Sequence, residues 1–244
     1  MAVEWSDRGI VLSLRKHGES SAIVSLLTRA HGVHGGLVRG GTGKRARGDL
    51  QPGNLLDVHW RARLEDHLGA YKCEMIEAYS AAVLDRPGPL AALSAACALS
   101  LTALPERESH PPIFDALTVL LGHLHRPHWA ALYVRWELGF LAQTGFPLDL
   151  TRCAASGVTE DLVFVSPKSG RAVCAAEGRP YRDKLLELPP FLRPQVRDGS
   201  AFSRHEIAAG LRLTAFFLGR FIYDPMGRPL PDARLRLAQR FVSP

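Results

Sequence analysis

The first eighty residues alternate between hydrophobic and polar side chains in short runs, and glycines separate one run from the next. Residues 54–64, for example, place Leu56, Val58 and Trp60 on one face, which is the period of a strand. Val11 breaks the same alternation in the first run. Five runs of this kind occur, at residues 9–16, 22–28, 37–38, 54–64 and 69–78. Short strands joined by glycine-rich turns predict a small closed or nearly closed β-barrel.

The hydrophobic spacing changes to a helical period beyond a proline- and glycine-rich cluster at residues 85–89. Trp136 and Phe140 stand four residues apart on one helical face. Ser203 precedes Glu206 by three residues, which is the pattern of a capping box at a helix start. The spacing predicts helices at residues 90–104, 113–124, 129–144 and 204–223, with a short last helix at residues 235–241.

Glycines and prolines interrupt the chain again at residues 151–177, and this stretch predicts a small β-hairpin or loop insert between the helices. We therefore expect an α+β protein with a barrel domain at residues 1–80. A helical domain follows at residues 81–244 and carries the insert at residues 151–178.

Nothing in the sequence indicates export or membrane insertion. The start has no basic region followed by an apolar run, so no signal peptide is expected. The most apolar stretch, residues 89–104, is shorter than the roughly 20 residues that a membrane-spanning helix needs. The four cysteines are scattered, which is typical of reduced cytoplasmic proteins rather than of a disulfide framework. We expect a cytoplasmic protein with no membrane association.

The chain is basic, with a formal net charge of +6, and its excess of positive charge lies at the two ends. Residues 1–80 carry 11 basic and 9 acidic side chains, whereas residues 81–150 carry 4 basic and 6 acidic ones. Residues 151–244 carry 15 basic and 9 acidic side chains. This distribution suits a protein whose separate modules meet a polyanion such as nucleic acid.

No enzyme motif is present, so we expect a protein that is not an enzyme and binds no cofactor. The phosphate-binding and nucleophile-elbow patterns are absent from the sequence. His31 and His34 are interpreted as turn residues within residues 31–36, and Glu65 with Asp66 as a solvated hairpin tip. An enzyme with a pocket in the helical domain is an alternative, for which Arg135 and Glu137 are the best candidates. A solvated or paired helix face explains both side chains better.

The most informative segment is a glycine-rich stretch at residues 39–48, interpreted as a flexible loop between two strands. Its four basic side chains are Arg39, Lys44, Arg45 and Arg47. Such a loop can approach a phosphate backbone closely. Further basic side chains that could share this face are Arg15, Lys16, Arg61 and Arg63. Trp60 and Tyr71 could stack on bases, but strand aromatics are more often core. We therefore predict electrostatic, salt-sensitive binding with little sequence specificity.

A metal site is not expected. Cys153 with Ser156, and Cys174 with Glu177, each have the shape of a Cys-x-x-Cys pair that lacks its second sulfur. A structural zinc site of four thiolates needs both complete pairs. We predict that the insert folds instead by packing apolar side chains.

Several segments together resemble the RecO family of bacterial recombination mediators. Four of these segments lie near the start of the chain, at residues 8–12 (RGIVL), 19–28 (ESSAIVSLLT), 32–34 (GVH) and 38–40 (VRG). Residues 50–54 (LQPGN) are similar to the family's entry into its next strand. Residues 140–149 (FLAQTGFPLD) and 164–173 (FVSPKSGRAV) resemble the helix before the family's zinc-finger-like insert and the insert itself.

The resemblance implies an OB-fold barrel followed by a helical domain with a zinc-finger-like β insert. It also implies binding and annealing of single- and double-stranded DNA, a partnership with RecR, and assistance to RecA loading. A further implied contact is the acidic C-terminal tail of single-stranded DNA-binding protein. For this tail the predicted site comprises Arg204, Arg212 and Arg220 on one helix, near Phe216 and Phe217. Members with four cysteines bind zinc, and this sequence departs from them at Ser156 and Glu177.

An alternative function class shares the basic barrel. An RNA-binding or ribosome-associated OB-fold protein would have the same sequence features, and titration with matched DNA and RNA oligonucleotides would separate the two classes.

Overall fold

Five strands close into a barrel in the amino-terminal part of the protein, whose computed structural model describes residues 2–193 and 202–242. The strands are β1 (Val3–His17), β2 (Ser21–Thr28), β3 (Gly32–Val38), β4 (Leu55–Ala62) and β5 (Ala70–Glu77), and a short helix α1 (Lys44–Asp49) connects β3 to β4. Their order around the barrel is β1-β2-β3-β5-β4. Neighbours run antiparallel except β3 and β5, which run parallel. The predicted barrel is therefore confirmed.

The barrel interior is filled by the alternate side chains that the sequence pattern marked. Leu56, Val58 and Trp60 of β4 point inward and are buried. In β1, Ile10, Val11 and Leu12 are all buried, and the pairing register with β2 shifts between Val11 and Ser13. A β-bulge of this kind inserts an extra residue and locally interrupts the alternation. The extra residue is Leu12, which has no partner in β2, and Val11, with Leu14 packed nearby, belongs to the barrel core cluster, whereas the predicted Ile10 and Leu12 do not.

The prediction of a turn at residues 31–36 holds for His31 but was wrong beyond it, because β3 already begins at Gly32. Three glycines, Gly32, Gly35 and Gly36, made the segment look like a turn, but Gly36 makes room for a neighbouring ring. A Cβ atom built there would lie 2.3 Å from Cδ2 of Tyr71, so only glycine admits this ring. His34 is consequently a buried strand residue, and the hydroxyl of Tyr71 lies 2.9 Å from its Nδ1.

Two helices, α2 (Pro87–Ala103) and α3 (Pro111–His123), complete a compact barrel unit that spans residues 1–125 and 231–234. α2 packs on the barrel through Leu93, which meets the backbone of Gly53, and through Cys97, whose Sγ lies 3.6 Å from the carbonyl oxygen of Val11. Arg29, in the turn between β2 and β3, forms two 3.0 Å hydrogen bonds with the carboxylate of Asp115 on α3.

The second compact unit comprises residues 126–230 and 235–244 and is mainly helical. Its helices are α4 (Trp129–Gln143), α5 (Ala175–Gly178), α6 (Arg204–Leu218) and α7 (Asp232–Val242), and a π-helical turn, Gly219–Tyr223, extends α6. Both elements of the capping box predicted at Ser203 are present at the start of α6. Among the residues described, no helix is long and apolar enough to cross a membrane.

The interior of this helical unit holds a buried carboxyl group. Glu137 of α4 is fully buried, and the hydroxyl of Thr214 on α6 donates a 2.5 Å hydrogen bond to it. Arg135 donates hydrogen bonds of 2.9 and 3.3 Å to the carbonyl oxygen of Phe191. Of the two explanations, a solvated or a paired helix face, burial excludes the solvated one for Glu137, and hydrogen-bonded pairing holds for both residues. These contacts join elements within the unit.

A small three-stranded sheet forms the insert. It contains β6 (Leu162–Val165), β7 (Ala172–Cys174) and β8 (Leu186–Glu187), in the order β7-β6-β8. The predicted hairpin is the β6–β7 pair, and β8 adds a strand beyond the expected end of the insert at residue 178. Leu162 and Val173 are buried in it, and Phe164 packs against Gly178. The α+β class is confirmed.

We predict that Gly36→Ala destabilises the protein by about 1–3 kcal/mol, because the added methyl group overlaps the ring of Tyr71. Urea denaturation would measure the loss in free energy of unfolding. Gly35→Ala, one residue earlier in β3, is the matched control. Its added Cβ meets only a side-chain carbon of Leu68 at an ordinary 3.5 Å, so a change within about 0.5 kcal/mol is expected. Equal effects of the two substitutions would contradict this account of β3.

We also predict that stability falls as the pH is lowered from about 6.5 to about 4 through His34. Burial, together with the nearby charge of Arg107, lowers the pKa of His34 to about 4. The unfolded chain, with an ordinary histidine pKa near 6.5, takes up a proton in this window that the folded protein does not, so acidification favours unfolding. His34→Gln should flatten the dependence of the unfolding free energy on pH in this window. The exposed His17→Gln should leave it unchanged.

Candidate nucleic-acid interface

A groove of about 1070 Å³ lies where the end of β3 and the helix α1 face β4 and β5. Its floor is mostly apolar and includes Val38, Leu50 and Cys73. The charged and imidazole side chains that line it are Arg39, Asp49, His59, Arg61, Arg63 and Lys72. Four of these six side chains are cationic and one is anionic, so the groove suits a negatively charged ligand.

Strand alternation places these basic groups outside the barrel. Trp60 and Tyr71 pair across β4 and β5 with their side chains inward, so their neighbours His59 and Lys72, which also pair, point outward. Lys72 was not predicted as a site residue. The inward position of Tyr71 was the available signal, because it requires that the next residue in the strand faces solvent.

Arg61 of the groove forms an ion pair with an acidic residue of β1. Its Nε lies 3.7 Å from a carboxylate oxygen of Glu4 on β1, and the Arg61 side chain is 67% exposed. An exposed pair of this length stabilises the fold by little, so the guanidinium can exchange its partner for a phosphate. Arg39, Arg63 and Lys72 are exposed.

The basic segment after Arg39 is partly helical, and its interpretation as a loop throughout was wrong. Lys44, Arg45 and Arg47 lie on α1 with their side chains exposed. The segment folds because Ala46 packs on the barrel core and Leu50, directly after the helix, is buried in it. The three cations therefore point away from the face that anchors the helix. They stand beside the groove, which Ala46 and Leu50 also line.

Arg15 and Lys16 lie at the exposed end of β1 and outside the groove. Lys16 pairs with Ala22 of β2, and Ala22 pairs in turn with Val38, the residue before Arg39. The two residues thus share an end of the barrel with Arg39 but are separated from it by β2.

The barrel aromatics form an internal cluster rather than a stacking surface. Trp60 and Tyr71 are buried, as expected for core residues. The ring of Trp5 stacks on His31 at a centroid distance of 3.9 Å, and the Nδ1 of His31 lies 3.2 Å from a carboxylate oxygen of Asp7. The groove consequently offers charge and apolar surface, and the partly exposed ring among its lining residues is the imidazole of His59.

The loop between β4 and β5 is held in place by one arginine. Arg107 has a left-handed backbone conformation, with φ of 62°, and its amide donates a 2.8 Å hydrogen bond to Val33 of β3. Its guanidinium donates to the carbonyl oxygens of three successive loop residues, Glu65, Asp66 and His67. The side chains of Glu65 and Asp66 are exposed, so the hairpin tip is solvated as predicted.

The three arginines predicted for a protein partner occupy separate environments in the helical unit. Arg204 donates to the carbonyl oxygen of Arg240 on α7. Arg212 lies 3.7 Å from the carboxylate of Glu187 on β8, and Arg220 donates a 2.6 Å hydrogen bond to the carbonyl oxygen of Pro167. Each arginine therefore meets a different element. Of the nearby phenylalanines, Phe217 is buried, whereas Phe216 is 37% exposed.

The two cysteines of the insert come together without forming a four-thiolate set. Cys153 and Cys174 are buried, and the amide of Cys174 donates a 3.3 Å hydrogen bond to Sγ of Cys153. Burial alone would raise the pKa of the Cys153 thiol, but hydrogen bonds from Ser156, Cys174 and Ala155 lower it to about 6. Ser156 is a hydroxyl where a zinc site needs a thiolate. Within the described residues, no three His, Cys, Asp or Glu side chains are grouped to hold a metal ion. The residues thus do not fit structural zinc.

Comparison with known proteins identifies the family. The family model described as recombination protein O N terminal matches residues 1–79, and the one described as recombination protein O C terminal matches residues 87–229. A DNA repair protein RecO from Rhodospirillum centenum is 48% identical over 241 residues, which cover 98% of this chain and 95% of that protein. The one from Rhodospirillum rubrum is 48% identical over 244 residues, covering 98% and 96%. The one from Methylocella silvestris is 44% identical over 232 residues, covering 95% and 93%. The chain belongs to the recombination protein O (RecO) family.

Proposed function

We propose that the protein is a non-catalytic recombination mediator in DNA repair, which binds and anneals DNA through its barrel. The observation that carries this proposal is the groove, where Arg39, Arg61, Arg63 and Lys72 line one exposed face. α1 adds three exposed cations beside it. The names of the relatives, DNA repair protein RecO, favour DNA over RNA as the ligand.

The barrel is proposed to be an OB fold. Support comes from the closed five-stranded order β1-β2-β3-β5-β4 and from the helix α1 between β3 and β4. Proteins with this fold bind nucleic acid on a barrel face near the loops that join its strands. The groove lies on such a face, because the loop after β4 contributes Arg63 to it.

The chemistry of the groove favours contact with the phosphate backbone. Arginine and lysine side chains there can pair with phosphates, whereas the barrel aromatics are buried and cannot stack on bases. Binding should therefore depend strongly on salt and weakly on sequence, as a mediator that meets arbitrary DNA requires. The same surface would also accept RNA, so the RNA-binding function remains the second candidate to be tested.

The proposal extends to the repair assembly in the cytoplasm. We infer that the protein binds single- and double-stranded DNA, partners RecR, and contacts the acidic tail of single-stranded DNA-binding protein. The protein would also help RecA indirectly, by assisting its loading onto single strands that are covered by single-stranded DNA-binding protein. The proposed tail contact is the α6 surface, where Arg212 and the partly exposed Phe216 could meet an acidic segment with an apolar end.

The proposed domain division is an OB-fold domain at residues 1–80 and a helical domain at residues 81–244, with a degenerate zinc-finger-like insert at residues 151–178. The gap between the two matching family models, at residues 80–86, supports the boundary. We infer that the insert needs no metal, since Leu162 and Val173 are buried in it and Ser156 replaces a thiolate.

Combined substitution of Lys44, Arg45 and Arg47 by alanine is expected to weaken binding of single-stranded DNA and to make its salt dependence shallower. Each lost phosphate contact should reduce the slope of log affinity against log salt by about 0.7. Fluorescence anisotropy across a salt series would measure both quantities, and a parallel RNA oligonucleotide would test the second candidate. Annealing of complementary strands should slow in the same variant.

The matched control changes three exposed cations of the helical unit, Arg152, Lys168 and Arg228, to alanine, so that the net charge falls equally. A control that loses as much affinity as the α1 variant would show that overall charge, and not the barrel surface, governs binding. A wild-type protein that binds no DNA even at low salt would refute the proposed function itself.

Arg212→Glu is expected to abolish binding of the acidic tail of single-stranded DNA-binding protein, because it replaces the attracting charge on α6 with a repelling one. Isothermal titration with a tail peptide would measure the loss. Arg236→Glu on α7, also exposed, is the matched control and should bind the peptide normally. Unchanged peptide binding by Arg212→Glu would exclude α6 as the tail site.

A further inference from the structure

A second basic surface, which the proposed function does not use, lies in the helical unit at Arg179–Lys184. This 3₁₀ segment has the sequence RPYRDK, and all six of its residues are exposed. Tyr181 stands at its centre with 61% of its surface exposed. The charged residues of the segment are Arg179, Arg182, Asp183 and Lys184, three cations and one anion, all exposed. An aromatic ring left this open in a mainly basic segment is unusual because rings of this size are normally buried.

The structure holds this segment at both ends on the same strand, β6. Gly178 precedes it, and a Cβ atom there would lie 2.4 Å from the ring of Phe164, so the backbone is pressed against that side chain. β8 follows it and pairs with β6 through Phe164–Glu187 and Val165–Leu186. The exposed ring and its flanking cations are therefore presented on a fixed platform, which lowers the entropic cost of binding.

A pocket of about 450 Å³ adjoins the segment. Its apolar part is formed by Val163, Phe164, Leu188 and Pro190, and its cations are Arg179, Arg182 and Arg193. Among the described residues, the buried Nε of Arg193 has no hydrogen-bond partner. A buried donor without a partner carries a desolvation cost that a bound acceptor would remove. Arg193 lines the pocket and its Nη2 donates a 3.5 Å hydrogen bond to the carbonyl oxygen of Leu188, so an anionic ligand would meet the Nε donor only if this side chain rearranges.

The acidic side chains of the pocket already have partners. Glu187 lies 3.7 Å from Arg212 and 3.6 Å from His205. Glu206 accepts hydrogen bonds of 2.7 and 2.8 Å from the backbone and hydroxyl of Ser203 in the capping box. In contrast, Arg179 and Arg182 form no ion pair within the described part of the chain. The charge that remains available on this surface is mainly positive.

We propose that this surface, defined as Arg179, Tyr181, Arg182, Lys184 and Arg193, is a second binding site for single-stranded nucleic acid. Tyr181 offers a face on which a base stacks, and the flanking cations contact phosphates. The inference rests on the proposed DNA-binding function and adds to it a contact outside the barrel. An acidic peptide with an apolar end could also pair with the arginines and pack on the ring, so such a peptide is the competing ligand in the experiment. The name that the relatives share, DNA repair protein RecO, favours nucleic acid.

A second site in a different compact unit changes how the protein holds a strand. Two linked contacts of moderate affinity bind one polymer more tightly than either does alone, because the second event becomes intramolecular. With two sites, one protein chain can also bind two strands at once, which annealing requires.

The first test compares Arg179→Ala/Arg182→Ala with the control Lys168→Ala/Arg228→Ala, which removes the same charge from exposed positions of the same unit. Binding of a single-stranded oligonucleotide to the full-length protein would be measured across a salt series. The surface variant should lose about tenfold in affinity and about 1.4 in salt slope, corresponding to two phosphate contacts. The control should keep both values of the wild type.

The second test addresses the ring. Tyr181→Ala should weaken binding about tenfold, whereas Tyr181→Phe should bind like the wild type, because stacking needs the ring and not the hydroxyl. An oligonucleotide with bromodeoxyuridine should form a photochemical crosslink at Tyr181, which mass spectrometry of the digested protein would locate. Since Tyr181 is exposed, neither substitution should alter the melting temperature.

The outcomes separate this inference from the function on which it rests. If the wild type binds DNA but the Arg179/Arg182 variant matches its control and no crosslink reaches Tyr181, the second site is refuted and the barrel function stands. If the wild type binds no DNA, both fall. If the variant keeps its DNA affinity but loses binding to a synthetic acidic peptide ending in phenylalanine, the surface is a peptide site and the inference is overturned.

Discussion

The barrel depends on the contact between β3 and β5, the two strands that run parallel and meet through the single pair Leu37–Ala70. With so little backbone pairing, side chains must close the barrel. Tyr71 does so by laying its ring on Gly36 and bringing its hydroxyl to His34. A neutral imidazole can accept this hydrogen bond, and burial keeps His34 neutral. The closed wall then sets which residues of β4 and β5 face outward, so the charge of the groove follows from the packing inside.

The two surfaces proposed to bind nucleic acid would do so through different interactions. The barrel groove combines Arg39, Arg61, Arg63 and Lys72 with an apolar floor and offers only the partly exposed imidazole of His59 as a ring, so it would bind a polyanion mainly through charge. The segment Arg179–Lys184 sets a ring among cations and so can distinguish unstacked bases from duplex. A protein with both surfaces would bind the phosphate backbone at the groove and unstacked bases at the segment. Gapped DNA has both features, so this combination suits a protein that acts on gaps.

Much of the fold could be predicted from alternation and helical spacing, because both report which side chains must be buried. The predictions failed where glycine had a role other than turning the chain. Gly36 makes room for a ring, and the helix α1 forms after Gly43 because Ala46 and Leu50 reach the core. Lys72 was not predicted as a groove residue, because its outward position follows only from the burial of Tyr71 beside it. The environments of Arg204, Arg212 and Arg220 depend on contacts distant in sequence, which no local pattern encodes.

Arg107 joins three pieces of backbone that are far apart in the chain. Its amide is bound to β3, its guanidinium gathers the carbonyl oxygens of residues 65–67, and it belongs itself to the connection between α2 and α3. These hydrogen bonds can form only if the β4–β5 loop and the α2–α3 connection keep their present lengths. A residue inserted into the β4–β5 loop would move the carbonyl oxygens out of reach unless the α2–α3 connection changed as well. In this chain the lengths of the two connections are therefore coupled through the backbone and side chain of Arg107.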